Sequence, residues 1–145
     1  MKPGLEVGHS AELEITVTPD MAARFPDEFV HDLYSTSALV HHMEWAARKT
    51  IFSYLEPHEE GMGFHIDIHH LMLTPIGMKV KIKATITDIR DHKVECDVEA
   101  FNWRGKVAKG VIVQSIVERS WLERKIREME VVDGIVREQE HKSFR

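Results

Sequence analysis

The second half of this chain is a series of four strand-length runs, and it follows a single long helical segment. The runs occupy residues 62–73, 78–89, 93–103 and 106–117. Turn-forming residues such as Pro75, Gly77 and Gly105 separate them. Because the connections are short, neighbouring strands are expected to be antiparallel, as in a four-stranded meander.

The first half carries the patterns of one helix and one strand. Residues 37–54 have apolar side chains at helical spacing, which predicts the long helix. Residues 11–18 alternate apolar and polar side chains, the period of a half-buried strand. Residues 21–33 have a mixed pattern that contains Pro26, and we expect a loop with one helical turn there.

The end of the chain predicts a short helix at residues 121–129 and a charged segment after it. No internal repeat or linker divides the sequence, and 145 residues suit one domain. We therefore expect a domain over residues 1–129 and a charged C-terminal tail over residues 130–145. The order of elements predicts an α+β fold in which one long helix packs on an antiparallel sheet.

Composition narrows the class of partner and the compartment. The net charge is −5, which gives no overall attraction to nucleic acid or anionic membranes. The single cysteine, Cys96, excludes an intramolecular disulfide and is typical of a buried apolar position. No signal-peptide pattern or run of transmembrane length is found. We expect a cytoplasmic soluble protein.

Three polar residues stand at positions that should face the core. Thr36 lies where the long helix begins, and Glu44 lies within the helix between apolar neighbours. His70 lies near the end of the first strand-length run, residues 62–73. Strand alternation places His70 with Ile66 and Ile68, on the face that packs on the helix. Buried polar groups are costly unless they are paired or used. Their convergence on one helix–sheet contact therefore favours an enzyme.

Each of these residues also has a structural explanation. Thr36 could cap the helix, Glu44 could pair with Arg48 one turn later, and His70 could be a hydrogen-bonded core histidine. His65, Asp67 and His69 alternate on the opposite strand face and could suggest a metal site. An exposed polar sheet face explains them better, because a metal site needs further ligands, and we expect no metal.

The sequence resembles the hotdog-fold acyl-CoA thioesterases, and within them the fluoroacetyl-CoA thioesterase-like group, over residues 4–127. The resemblance is strongest in three motifs: Met43-Glu44-Trp45-Ala46, Tyr54-Leu55-Glu56-Pro57 and His70-(x)3-Thr74-Pro75-x-Gly77. It implies an antiparallel sheet wrapped around one long central helix. It also implies that Thr36, Glu44 and His70 are the catalytic set, and that the backbone amide of Gly63 polarises the thioester carbonyl.

The sequence departs from this family at positions that contact the acyl group. The phenylalanines of the fluoroacetyl-specific member's lid correspond to Asp27 and Val30, with Phe25 and Phe29 displaced. A basic residue that this member carries on the last strand corresponds to Gln114. We therefore expect substrate contacts from Phe29, Val30 and Gln114, and the resemblance leaves the acyl group open.

The resulting hypothesis is hydrolysis of a short-chain acyl-CoA to free acid and coenzyme A without a cofactor. Glu44 would act as nucleophile or as general base, and the sequence does not separate these roles. The resemblance implies a homodimer with coenzyme A between subunits, where Arg48, Lys49 or Lys106 could contact its phosphates. Two alternatives are a hotdog hydratase or dehydratase, whose Asp–His loop motif is not found, and a non-catalytic acyl-CoA-binding module whose tail contacts a partner.

Overall fold

The computed structural model describes residues 1–132, with side chains to residue 130. Seven strands and two α-helices follow one another along this part of the chain. Their bounds are β1 Ser10–Thr16, β2 Ala22–Phe25, β3 Glu28–Tyr34, α1 Thr36–Ile51, β4 Glu59–His70, β5 Lys79–Arg90, β6 Lys93–Asn102, β7 Gly105–Glu118 and α2 Arg119–Val132. Single 3-10 turns occupy Pro19–Met21 and Phe52–Tyr54.

Helix α1 confirms the long helix expected at residues 37–54. The last three residues of the expected range, Phe52–Tyr54, form the second 3-10 turn. Ser35 is the N-cap of α1, because the hydroxyl accepts a hydrogen bond of 3.0 Å from the Ala38 amide. One face of the helix is buried against the sheet, and its fully buried apolar residues are Leu39, Met43, Ala46, Ala47 and Ile51. The helix is therefore held by its apolar face, as the spacing predicts.

The main sheet has the order β1-β5-β6-β7-β4 with antiparallel neighbours. This confirms the antiparallel sheet around one long helix. The four-stranded meander, however, is wrong at one place, because β4 pairs with β7 at the far edge and not with β5. The connection at residues 71–78 runs from the edge strand β4 to β5, which lies beside the opposite edge strand β1, so only β5, β6 and β7 form a meander. Chain order alone does not fix which edge a strand joins.

The core lies between α1 and the central strands. Alternate residues of β5 and β6 are fully buried, and Cys96 is one of them. Burial raises the pKa of the Cys96 thiol, which keeps it protonated and unreactive. The expectation that Cys96 is a buried apolar side chain is confirmed.

The loop expected at residues 21–33 is wrong, because this segment is a β-hairpin. Strands β2 and β3 form a separate two-stranded sheet, with Phe25 opposite Glu28 across the Pro26–Asp27 turn. The one helical turn lies just before it, at Pro19–Met21. Most residues of β3 are exposed on both faces, so the segment lacks the apolar–polar alternation that marks a half-buried strand.

The last helix confirms the one expected at residues 121–129 but is longer, running from Arg119 to Val132. It therefore crosses the domain boundary that we expect after residue 129. The rest of the expected tail, residues 133–145, lies outside the described residues. Among the helices of the described chain, none has both the length and the apolar character needed to cross a membrane.

Candidate active site

A β-bulge in β4 decides which of its residues face α1. The pairing with β7 shifts between Gly63 and His65, so Phe64 is an extra residue in the strand. Gly63 lies against Glu44 of α1, and His70 contacts Thr36 of α1. Strict alternation would place Gly63 and His70 on opposite faces, since they are an odd number of residues apart. The bulge brings both to the helix side.

Thr36 and His70 meet where α1 begins and β4 ends. The Thr36 hydroxyl and Nδ1 of His70 are 2.9 Å apart, and Ser35 is the cap, so Thr36 is free for this contact. Burial lowers the pKa of His70, and a hydrogen bond with the Met72 backbone opposes this shift to a smaller extent. The imidazole is therefore neutral at neutral pH and able to accept a proton.

The Thr36–His70 contact borders a cavity of about 280 Å³. The hairpin supplies part of its wall through Ala23, His31 and Leu33. These residues were not predicted as part of a site, because the segment was expected to be a loop and not a hairpin. The Pro26–Asp27 pair is a turn signal that could have identified it.

Glu44 lies directly over the backbone of Gly63. Its Oε2 is 3.0 Å from the position that a Cβ atom would take at residue 63. A larger residue at 63 would push the carboxylate away, so glycine allows the close approach. Glu44 is half-buried and makes no hydrogen bond or ion pair with another described residue. The alternative explanation, a pair with Arg48, is not what the structure has, because Arg48 pairs with Glu60 at 2.7 Å.

A cavity of about 450 Å³ adjoins Glu44. Its lining residues are His41, Glu44, Trp45, Arg48, Gly61, Gly63 and Gln114. Gln114 of β7 is the cross-strand neighbour of Gly63 and is only 3% exposed. Its Nε2 has no hydrogen-bond partner among the described residues, which leaves a donor beside the cavity. Three predicted site residues, Glu44, Gly63 and Gln114, therefore lie together.

The structure separates the predicted site into two groups. Thr36 and Glu44 are eight residues apart on α1, about 12 Å along the helix axis at 1.5 Å per residue. Within the described chain, Glu44 hydrogen-bonds to neither Thr36 nor His70. One group is Thr36 with His70, and the other is Glu44 with Gly63 and Gln114. We call them the Thr36–His70 group and the Glu44 group.

Phe29 and Val30 belong to neither group. Both are on β3, 61% and 45% exposed, and neither lines the two cavities. The cations expected near coenzyme A have other contacts: Lys106 pairs with Glu99, and the Lys49 ammonium lies 6.0 Å from the centre of the Trp45 ring.

The polar face of β4 is exposed, as the alternation predicts. His65, Asp67 and His69 point to solvent, and Nε2 of His69 is 3.7 Å from Oδ1 of Asp67. Among the described residues, no set of three or more potential ligands has the arrangement of a metal site.

Comparisons with known proteins identify the family. A family model described as fluoroacetyl-CoA-specific thioesterase matches residues 17–120. The fluoroacetyl-CoA thioesterase of Streptantibioticus cattleyicolor is 26% identical over 134 residues, covering 88% of this chain and 96% of the relative.

Solved structures show the same fold. A thioesterase superfamily member from Thermus thermophilus is 34% identical with a TM-score of 0.84, over 88% of this chain and 95% of the other. A hot-dog-like protein from Thermanaerovibrio acidaminovorans is 20% identical with a TM-score of 0.80, over 88% and 93%. The chain therefore belongs to the family of fluoroacetyl-CoA-specific thioesterases within the hotdog fold, and it is a hydrolase of acyl-CoA thioesters.

Proposed function

We propose that Glu44 and Gly63 are the centre at which the thioester is hydrolysed. The Gly63 amide donates to the carbonyl oxygen as negative charge develops on it, a contribution of about 3–4 kcal/mol for one such donor. The bulge at Phe64 supports this role, because it brings Gly63 to the side of the strand on which Glu44 lies. Glu44 drives attack on the carbonyl carbon, as the nucleophile or as the base for a water molecule.

The Thr36–His70 group transfers a proton to the leaving group. His70 is neutral because burial lowers its pKa, so it can take a proton and pass it on to the leaving thiolate of coenzyme A. The Thr36 hydroxyl fixes the ring at Nδ1 and leaves Nε2 for the reaction. The single observation that carries the proposal is the Glu44 carboxylate, which lies over the Gly63 backbone and has no hydrogen-bond or ion-pair partner among the described residues.

The enzyme acts as a homodimer in this proposal. Strand β4 is at an edge of the sheet, where it exposes Phe64 and Ile66, and unpaired edges favour pairing with another strand. Antiparallel pairing of two β4 strands, centred near Ile66 and Asp67, places His70 opposite the Gly63–Phe64 bulge of the second copy. Each complete site then combines the Thr36–His70 group of one subunit with the Glu44 group of the other.

The substrate in this proposal is a short-chain acyl-CoA without selectivity for fluorine. Fluoroacetyl-CoA is the substrate named for the relative from Streptantibioticus cattleyicolor. In this chain Asp27 and Val30 stand at the implied lid positions and are exposed, so they enclose no acyl group within one subunit. Gln114 is the remaining acyl contact, through its unpaired amide. A free buried Cys96 suits the cytoplasm.

A panel of acyl-CoA thioesters tests the proposal. The purified protein is incubated with acetyl-CoA and longer acyl-CoAs, and free thiol is measured. Wild type should release coenzyme A, and Glu44→Gln, which keeps the size of the side chain and removes its charge, should nearly abolish release. Tight binding of acyl-CoA without thiol release would instead indicate a binding module.

Thr36 has a smaller expected effect than Glu44. Thr36→Ala removes one hydrogen bond to the His70 ring, and a bond of this kind to a group that becomes charged is worth about 1.5–3 kcal/mol. We expect roughly a tenth to a hundredth of wild-type activity to remain. Full activity of Thr36→Ala would remove the Thr36–His70 contact from the mechanism.

A further inference from the structure

A network of charged residues holds the start of β4 beside the Glu44 group. Nη2 of Arg48 is 2.7 Å from Oε1 of Glu60, and Nη1 of Arg48 donates to the Gly61 carbonyl at 3.3 Å. The same Oε1 accepts from the Gly61 amide at 3.1 Å. The other carboxylate oxygen of Glu60 pairs with Arg119 at 2.9 Å. The peptide groups on both sides of Gly61 are therefore held, one through the Gly61 amide and the next through the Gly61 carbonyl.

The sequence at Gly61 leaves room for this network. A Cβ atom at residue 61 would lie 2.9 Å from Cδ1 of Ile51 and 3.2 Å from Nη1 of Arg48. Any larger residue would force the guanidinium or the helix away. Glycine thus permits the contact, but it also leaves the backbone with the greatest conformational freedom. Within the described chain, β4 is paired on one side only, so side-chain contacts such as these add to the restraint that the pairing with β7 provides.

The position of Arg48 connects the network to the reaction. It lies one helical turn after Glu44 and lines the same cavity. The position that a Cβ atom would take at residue 61 is 3.2 Å from Nη1 of Arg48 and 3.6 Å from Oε1 of Gln114, so both side chains reach the same side of Gly61. Among the described lining residues, Arg48 is the one arginine or lysine. Arg48, on α1, therefore supplies positive charge to this cavity beside the uncharged side-chain amide of Gln114 on β7.

We propose that Arg48 is a positioning residue for thioester hydrolysis: by holding the Gly61 peptide it orients the Gly63 amide toward the thioester carbonyl oxygen. This inference rests on the role proposed above for Gly63 and Glu44. Gly61 and Gly63 are two residues apart in one extended segment, so a rotation at Gly61 redirects the amide that follows. Glu60 in turn fixes the guanidinium, and Arg119 fixes Glu60.

The first test separates positioning from substrate binding. Kinetics are measured for Arg48→Met on the best substrate of the acyl-CoA panel. We expect kcat to fall roughly tenfold to a hundredfold, less than the loss of about a hundredfold to a thousandfold caused by deleting an oxyanion donor. KM should change little. Arg90→Met is the matched control, because Arg90 is an exposed arginine that pairs with Asp88 of its own strand and lines neither of the two cavities described above.

Rescue makes the test specific for the guanidinium. Arg48→Ala leaves a space beside Glu60, and added methylguanidinium at non-denaturing concentration should recover part of kcat. Arg48→Lys should recover less than wild type, since one ammonium cannot bridge Glu60 and the Gly61 carbonyl in the same fork geometry. Melting temperatures that stay well above the assay temperature would show that the losses are not caused by unfolding.

Two results would overturn the inference. One is a raised KM with unchanged kcat in Arg48→Met, which would make Arg48 a substrate-binding residue. The other is a loss of kcat that no guanidinium compound restores and that follows the loss of folded protein. Failure of the proposed function is distinguishable, because it would appear as full activity of Glu44→Gln, whatever Arg48→Met does.

Discussion

Two variants that are each inactive should restore activity when they share a dimer. Glu44→Gln disables the Glu44 group, and His70→Ala disables the Thr36–His70 group. If each site uses one group from each subunit, a heterodimer of these variants contains one intact site and one site with both defects. If each site lies within one subunit, the same heterodimer contains no intact site.

The distances favour the first arrangement. Thr36 and Glu44 are separated by about 12 Å along α1, whereas groups that act on one reacting centre lie about 3 Å from it. A twofold dimer has two equivalent sites. A pure heterodimer with one intact site should therefore show about half of the wild-type kcat, and a random mixture, in which half of the dimers are heterodimers, about a quarter.

Co-expression with two different affinity tags yields the heterodimer, and free thiol release measures its activity. The reciprocal heterodimer is the control: wild type paired with the Glu44→Gln, His70→Ala double variant. It should be nearly inactive, because each of its sites carries one defect. An inactive first heterodimer together with a half-active control would refute the shared site, and a monomer in sedimentation would refute the dimer itself.

Other outcomes follow from single contacts. Acetyl-CoA and fluoroacetyl-CoA should be hydrolysed with similar kcat/KM, because Asp27 and Val30 are exposed; a preference on the order of a thousandfold for the fluorinated thioester would contradict the lid alignment. His69→Ala should be close to neutral in turnover and His70→Ala strongly impaired, since only His70 faces α1; the reverse result would mean that the strand register is off by one. Hydrogen bonding from Arg48 lowers the pKa of Glu60, so the ionised Glu60 carboxylate stabilises the folded state. This contribution to the free energy of unfolding is present above the ordinary glutamate pKa and is lost as pH falls through the lowered value. Thermal melts of Glu60→Gln should therefore show a weaker loss of stability in acid than wild type, and equal losses would exclude this contribution.

The sequence by itself determined the elements whose signal is local. The apolar spacing of α1 is a property of consecutive residues, and the structure confirms it from Thr36 to Ile51. Alternation after the bulge placed His70 on the helix side, where it meets Thr36. The motif around Glu44 carried the resemblance to the thioesterase family, which the family model confirms. Fold class and activity could thus be predicted from local patterns and motifs.

Only the tertiary structure decided how distant segments pair. The bulge at Phe64 exists in the register between β4 and β7, and no period within β4 reveals it. The hairpin of β2 and β3 is exposed on most of its surface, so burial leaves no pattern in its sequence. The contact of Arg48 with Glu60 and Gly61 joins a helix to a strand across twelve and thirteen positions of the chain. Such contacts depend on where folding brings the backbone, and for that reason the packing of Arg48 on β4 could not be predicted from the sequence.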